Sequence, residues 1–72
     1  MYHIQEFAAL TGLSADTLRY YEKEGLLAPA RDANGYRIYS ERDAVWLAFI
    51  LRLKETNIPL AQIKAFARLR AE

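Results

Sequence analysis

Residues Gly12–Leu27 read GLSADTLRYYEKEGLL, and the spacing of caps and apolar side chains in this stretch decides the fold. Ser14 is placed to cap a helix whose interior runs from about Ala15 to Glu24. Gly25 then ends it, because a residue just past a helix often needs the left-handed conformation. That cap brings Leu26 back against Tyr21. Successive helical residues point roughly 100° apart, so the two tyrosines cannot share a face. Thr17, Leu18 and Tyr21 fall inward, whereas Asp16, Arg19, Tyr20 and Lys23 fall on the opposite side. Upstream, Ile4, Phe7, Ala8 and Leu10 suit a short amphipathic helix over Gln5–Thr11. Gly12-Leu13-Ser14 becomes a three-residue link between two helices, the signature of a helix-turn-helix.

Downstream, Pro29 to Arg31 is extended, and DANG (Asp32–Gly35) supplies a turn in which Asn34-Gly35 tolerates positive φ. YRIY (Tyr36–Tyr39) returns as a second short strand, and such a ribbon must lean on helices to be stable. Alternation puts Tyr36 and Ile38 on one face and Arg37 and Tyr39 on the other. Tyr39 adjoins a helix start, which leaves its direction open. Ser40, with Asp43 three residues on, caps a third helix that is apolar from Ala44 to Leu51 and so on nearly every side. Asn57 closes that helix in the left-handed region, and Pro59 opens a fourth, whose expected buried stripe is Leu60, Ile63, Phe66 and Ala67. No repeat or low-complexity segment divides the 72 residues, so one domain spanning 1–72 is expected.

Composition narrows the function. With 53% hydrophobic and 26% charged residues the chain is globular rather than disordered. It holds no cysteine and one histidine, which excludes disulfides and thiolate metal sites. No apolar run is long enough to span a membrane, and no signal-peptide pattern opens the chain, so a cytoplasmic, nucleoid-associated protein without a membrane partner is expected. The net charge of +1 does not announce a polyanion partner, but residues 52–70 carry five basic groups against Glu55 alone. Such a run also serves simply to solvate a helix face.

Catalysis lacks the residues it needs: there is no carboxylate pair, Cys/His dyad, phosphate-cradling glycine loop or metal spacing. Ser14 is explained by its cap, and His3 sits near a terminus expected to be mobile. The chain is expected to be no enzyme and to need no cofactor. Binding to duplex DNA is better supported. A helix-turn-helix lays its second helix in the major groove with the N-terminal residues nearest the bases. Here that end offers Ser14, Ala15, Asp16 and Arg19. Arg19 can fork onto guanine or a phosphate, and Tyr20 can give its hydroxyl to a phosphate or its ring to a thymine methyl. Against this, Arg19 can pair with Asp16 or Glu22, and Tyr20 can pack on the hairpin. In the ribbon Arg37 is the expected phosphate clamp with Tyr36 beside it; Tyr36 and Tyr39 can equally anchor the hairpin. Trp46 and Phe49 are expected mainly in the core, with part of the apolar surplus left for a partner.

HIQEFAALTGLSADTLRYYEKEGLLAPAR, GYRIY and LRLKETNIPLAQIKAF resemble the DNA-binding domain of the mercury-resistance-regulator (MerR) family, over about Ile4 to Leu69. The segment WLAFI is similar to a branch that includes aldehyde- and stress-responsive members. The resemblance implies a mainly α, winged helix-turn-helix of about four helices plus a two-stranded β-hairpin wing. Its parts would be the helix-turn-helix at about 4–24, the wing hairpin at 29–39 and a helix–helix second wing at 40–70. Thr17, Arg19 and Tyr20 match DNA-contacting positions of the recognition helix, and Arg37, with Tyr36 and Tyr39, matches the wing contacts. Family members act as homodimers on promoter DNA and affect RNA polymerase indirectly, by bending and untwisting the duplex. That distortion costs on the order of a few kcal/mol.

Two departures stand out. Asn57 occupies a position usually held by glycine, and the chain ends at Glu72, where the family continues into a dimerisation helix and an effector domain. The branch's sensing cysteine is replaced near Arg52, so a thiol sensor is excluded within these residues. Two other readings compete. An excisionase-like architectural DNA-binding protein is favoured by a natural stop near residue 72, and a protein-interaction module using the third helix by failure to bind any duplex. Promoter sequence, inducing signal and activator or repressor character are not written in this stretch of chain.

Overall fold

The computed structural model describes residues 1–71, with four helices and one hairpin: α1 (Ile4–Thr11), α2 (Ala15–Lys23), β1 (Ala30–Arg31), β2 (Arg37–Ile38), α3 (Glu41–Glu55) and α4 (Leu60–Ala71). The caps form where the sequence places them. Gly12 sits at φ 77° and its N–H reaches the Ala8 carbonyl at 2.9 Å. Ser14 Oγ accepts the Thr17 N–H at 3.1 Å. At the other end of α2, Leu26 N–H bonds the Tyr21 carbonyl and Gly25 N–H bonds that of Glu22, the paired closure that a left-handed glycine permits. Ser40 and Asp43 exchange two bonds, a complete capping box, and Asn57 closes α3 at φ 62°.

The core is built from one stripe per helix: Phe7 from α1, Leu18 and Tyr21 from α2, Leu47 and Ile50 from α3, Ile63 and Ala67 from α4, with Leu26, Leu27 and Tyr39 from the connections. β1 and β2 pair antiparallel with Ala30 opposite Ile38 and Arg31 opposite Arg37. The N-terminus is not loose. Tyr2 and Tyr39 exchange backbone hydrogen bonds of 2.8 and 2.7 Å, a bridge that ties the chain start to the base of the hairpin.

Leu10 is exposed rather than on the buried side of α1, and three further side chains depart from the expected pattern. Phe66 is exposed rather than part of the α4 stripe, which Ile63 and Ala67 form with Leu60 partly buried beside them. Phe49 is also exposed and meets Phe66 edge to face at 6.5 Å. Trp46 is half-buried, its Nε1–H donating to the Leu26 carbonyl at 2.6 Å while Arg70 lies over its ring. Val45, Trp46 and Phe49 thereby line a shallow hollow with Glu41, Arg42 and Arg70. Among the described residues no helix is long and apolar enough to cross a membrane.

Candidate nucleic-acid interface

The tyrosine pair divides as its helical spacing requires. Tyr21 is buried, and its hydroxyl accepts from Lys54 Nζ at 2.7 Å, which fastens α2 to the end of α3. Tyr20 stands 49% exposed, with Glu24 the nearest acceptor for its hydroxyl at 3.5 Å. Arg19 points into solvent and pairs with Asp16 at 2.9 Å, one of the two partners the sequence leaves open. Ser14 and Thr17 are joined by a hydroxyl–hydroxyl bond of 2.9 Å in addition to the cap, so both side chains are held at the start of α2. Ala15 beside them is half-buried.

The hairpin folds back on the Arg19 side of α2. Arg19, Arg31, Tyr36 and Arg37 line a single cleft, completed by His3, Ile4 and Gly35. Three arginines and an exposed tyrosine thus line one cleft between the helix and the ribbon. Tyr36 is 66% exposed, whereas Arg37 is half-buried because Glu22 takes its Nε at 2.8 Å and its Nη2 at 3.3 Å. That hydrogen bond to Glu22 raises the Arg37 guanidinium further above its ordinary range. The turn is held by Asp32, whose Oδ1 accepts the Tyr36 and Asn34 N–H groups at 3.0 and 2.9 Å. The backbone N–H of Tyr36, more than any other contact, lowers the Asp32 pKa; Asn34 and nearby His3 act in the same direction.

Tyr39 does not fit the wing-contact expectation. Its ring is fully buried, stacked on Phe7 at 4.3 Å with 4° between the planes. The strand end is bridged to Tyr2 and its ring packs on Phe7, so the ring serves the core and not the surface. Burial raises the pKa of its hydroxyl. Tyr20 and the wing residues also line different clefts: Tyr20 shares its own with Tyr21, Lys54, Asn57, Ile58, Leu60 and Ile63. Sequence reasoning passed over Arg31 and His3 as parts of this cleft, and weighed Glu22 only as a partner for Arg19. The available signal was the turn DANG, which sets Arg31 and Arg37 nearly symmetrically about it.

A family model described as "MerR HTH family regulatory protein" matches residues 2–69. The chain is 44% identical over 69 residues to an HTH-type transcriptional regulator of Bacillus subtilis, YyaN, covering 94% of this chain and 50% of that protein. It is 43% identical over 63 residues to the HTH-type transcriptional regulator CueR of the same organism, covering 88% and 44%. Among solved structures it superposes on HiNmlR, a MerR family regulator lacking the sensor domain and bound to promoter DNA. There the TM-score is 0.87 with 41% identity, over 93% of this chain and 54% of that one. The chain spans about half the length of the curated relatives it matches.

Proposed function

Since the chain belongs to the MerR family of helix-turn-helix regulatory proteins, we propose that it binds double-stranded promoter DNA in a sequence-specific manner and thereby regulates transcription. The observation that carries this is the cleft in which Arg19 of α2 meets Arg31, Tyr36 and Arg37 of the hairpin. A helix in the major groove needs a second element to grip the flanking backbone, and a basic hairpin beside it meets that need. In this reading the exposed flank of α2 presents Arg19 and Tyr20 to base edges and phosphates, with Ser14, Ala15 and Thr17 at the groove floor. Arg37 clamps a phosphate and Tyr36 lies along the sugar–phosphate strand. Tyr39 contributes by holding the base of the wing.

The reading extends to a homodimer reading two half-sites, with RNA polymerase affected through the bend in the DNA, and to a non-enzymatic protein of the cytoplasm. One copy alone engages one half-site, at an affinity near the non-specific range of roughly 10⁻⁴–10⁻⁶ M. Fluorescence anisotropy on labelled duplexes across a salt series tests the assignment. Arg37→Ala weakens binding to every duplex and flattens the salt slope by about 1, whereas Arg19→Ala also erodes preference among sequences. Equal salt slopes for wild type and Arg37→Ala would remove the clamp.

A further inference from the structure

Arg31 and Arg37 are register partners across the hairpin, which sets two guanidinium groups on one side of a ribbon with two residues per strand. Like charges directly opposite destabilise a β pair, and a two-stranded ribbon has little stability to lose. The chain supplies the missing anion itself. Glu22 of α2 accepts from Arg37 Nε at 2.8 Å and Nη2 at 3.3 Å, and from Arg31 Nη2 at 3.2 Å. The Glu22 and Arg37 side chains are only 23% and 25% exposed, so the contact is screened less than an open surface pair. Arg31 also donates from Nη1 to the Gly35 carbonyl at 3.2 Å, which carries the link from α2 through to the turn.

We infer that Glu22 is a positioning residue with a second consequence: it docks the wing on the recognition helix and cancels one of the wing's two positive charges. It thereby limits how far DNA binding rests on sequence-independent attraction. This rests on the proposal that duplex DNA is the ligand of this face. Glu22 holds the Nε/Nη2 edge of the Arg37 guanidinium, so a DNA phosphate must either displace the carboxylate from that edge or take the remaining Nη1 side, beside a charge already neutralised. Sequence-independent affinity comes from phosphates neutralised and counterions released, and each added positive charge steepens the salt dependence by about 0.9. Removing the Glu22 charge therefore makes the wing stickier while leaving it less well aimed.

Glu22→Gln keeps the size and one acceptor, and replaces the charge and the second acceptor oxygen with a neutral amide. On a short duplex of mixed sequence, its salt slope steepens by about 1, and its affinity at about 0.1 M salt rises about 8-fold. Its preference for a duplex selected from a random library by the wild-type chain, over a shuffled control, falls. Glu22→Gln/Arg31→Gln, which restores the charge balance, returns the slope to the wild-type value. Glu22→Asp keeps the charge but draws it back by one methylene, so the slope stays and the preference falls. A role in stability alone has a different signature: affinities for both duplexes fall together at unchanged slope. That pattern, or no change of slope in Glu22→Gln, overturns the inference while leaving DNA binding standing. Absence of salt-dependent binding by the wild-type chain to any duplex overturns the DNA reading, and this inference with it.

Discussion

Replacing Tyr39 with phenylalanine removes one oxygen from the centre of the domain and should stabilise it. The Tyr39 hydroxyl is buried and has no hydrogen-bond partner among the described residues. A buried polar group left unpaired costs about 1–3 kcal/mol, and the small void left by the oxygen takes back part of that on removal. The ring stack on Phe7 at 4.3 Å is untouched by the change. The net expectation is a gain of about 1 kcal/mol, which in a domain of this size raises the melting temperature by about 4–8 °C. Thermal unfolding followed by circular dichroism measures it. There is also a pH signature. Burial raises the folded-state pKa of Tyr39, so the unfolded chain gives up that proton first and stability declines as pH climbs through and above the ordinary tyrosine range. Tyr39→Phe removes that share of the alkaline loss, while the share from Tyr2, whose pKa is raised chiefly by its hydrogen bond to Glu41, remains. DNA affinity should be unchanged, since the ring lies off the surface. A fall in melting temperature would mean the hydroxyl is satisfied. A loss of binding at unchanged stability would return Tyr39 to the interface.

Two further outcomes follow from the turns. Asp32 has a lowered pKa, so its contribution to the hairpin is present above the usual carboxylate range and is lost as pH falls through and below it. The amide signals of Asn34 and Tyr36 should report the turn opening in acid, and Asp32→Asn should abolish that titration; identical acid profiles would contradict the assignment. Gly25 sits at φ 79° with open space where a Cβ would stand, so Gly25→Ala costs backbone strain alone, about 1 kcal/mol, and Gly25→Asn less. Denaturant unfolding that shows a cost above about 3 kcal/mol for alanine would mean a clash the structure does not contain.

The sequence by itself determined most of what closes within a turn or two of chain, the His3–Glu6 box that starts α1 being the exception. Ser14, Gly12 and Gly25 set the two helices and their link, Ser40 with Asp43 starts α3, and Asn57 ends it, because capping bonds join residues three to five apart. The split of Tyr20 from Tyr21 belongs with these, since helical rotation alone separates them. Tertiary structure decided what depends on one element lying against another. Alternation along β2 sets Tyr39 on the side of Arg37 but does not say what that side meets, and only the packing of the hairpin base on α1 puts the ring on Phe7. Which apolar residues of α3 and α4 go inside depends on how the two helices meet, and that choice left Phe49 and Phe66 at the surface. Glu22 lies nine and fifteen residues from the arginines it holds. Nothing local in the chain specifies that contact, because it exists only once the hairpin has folded back along α2.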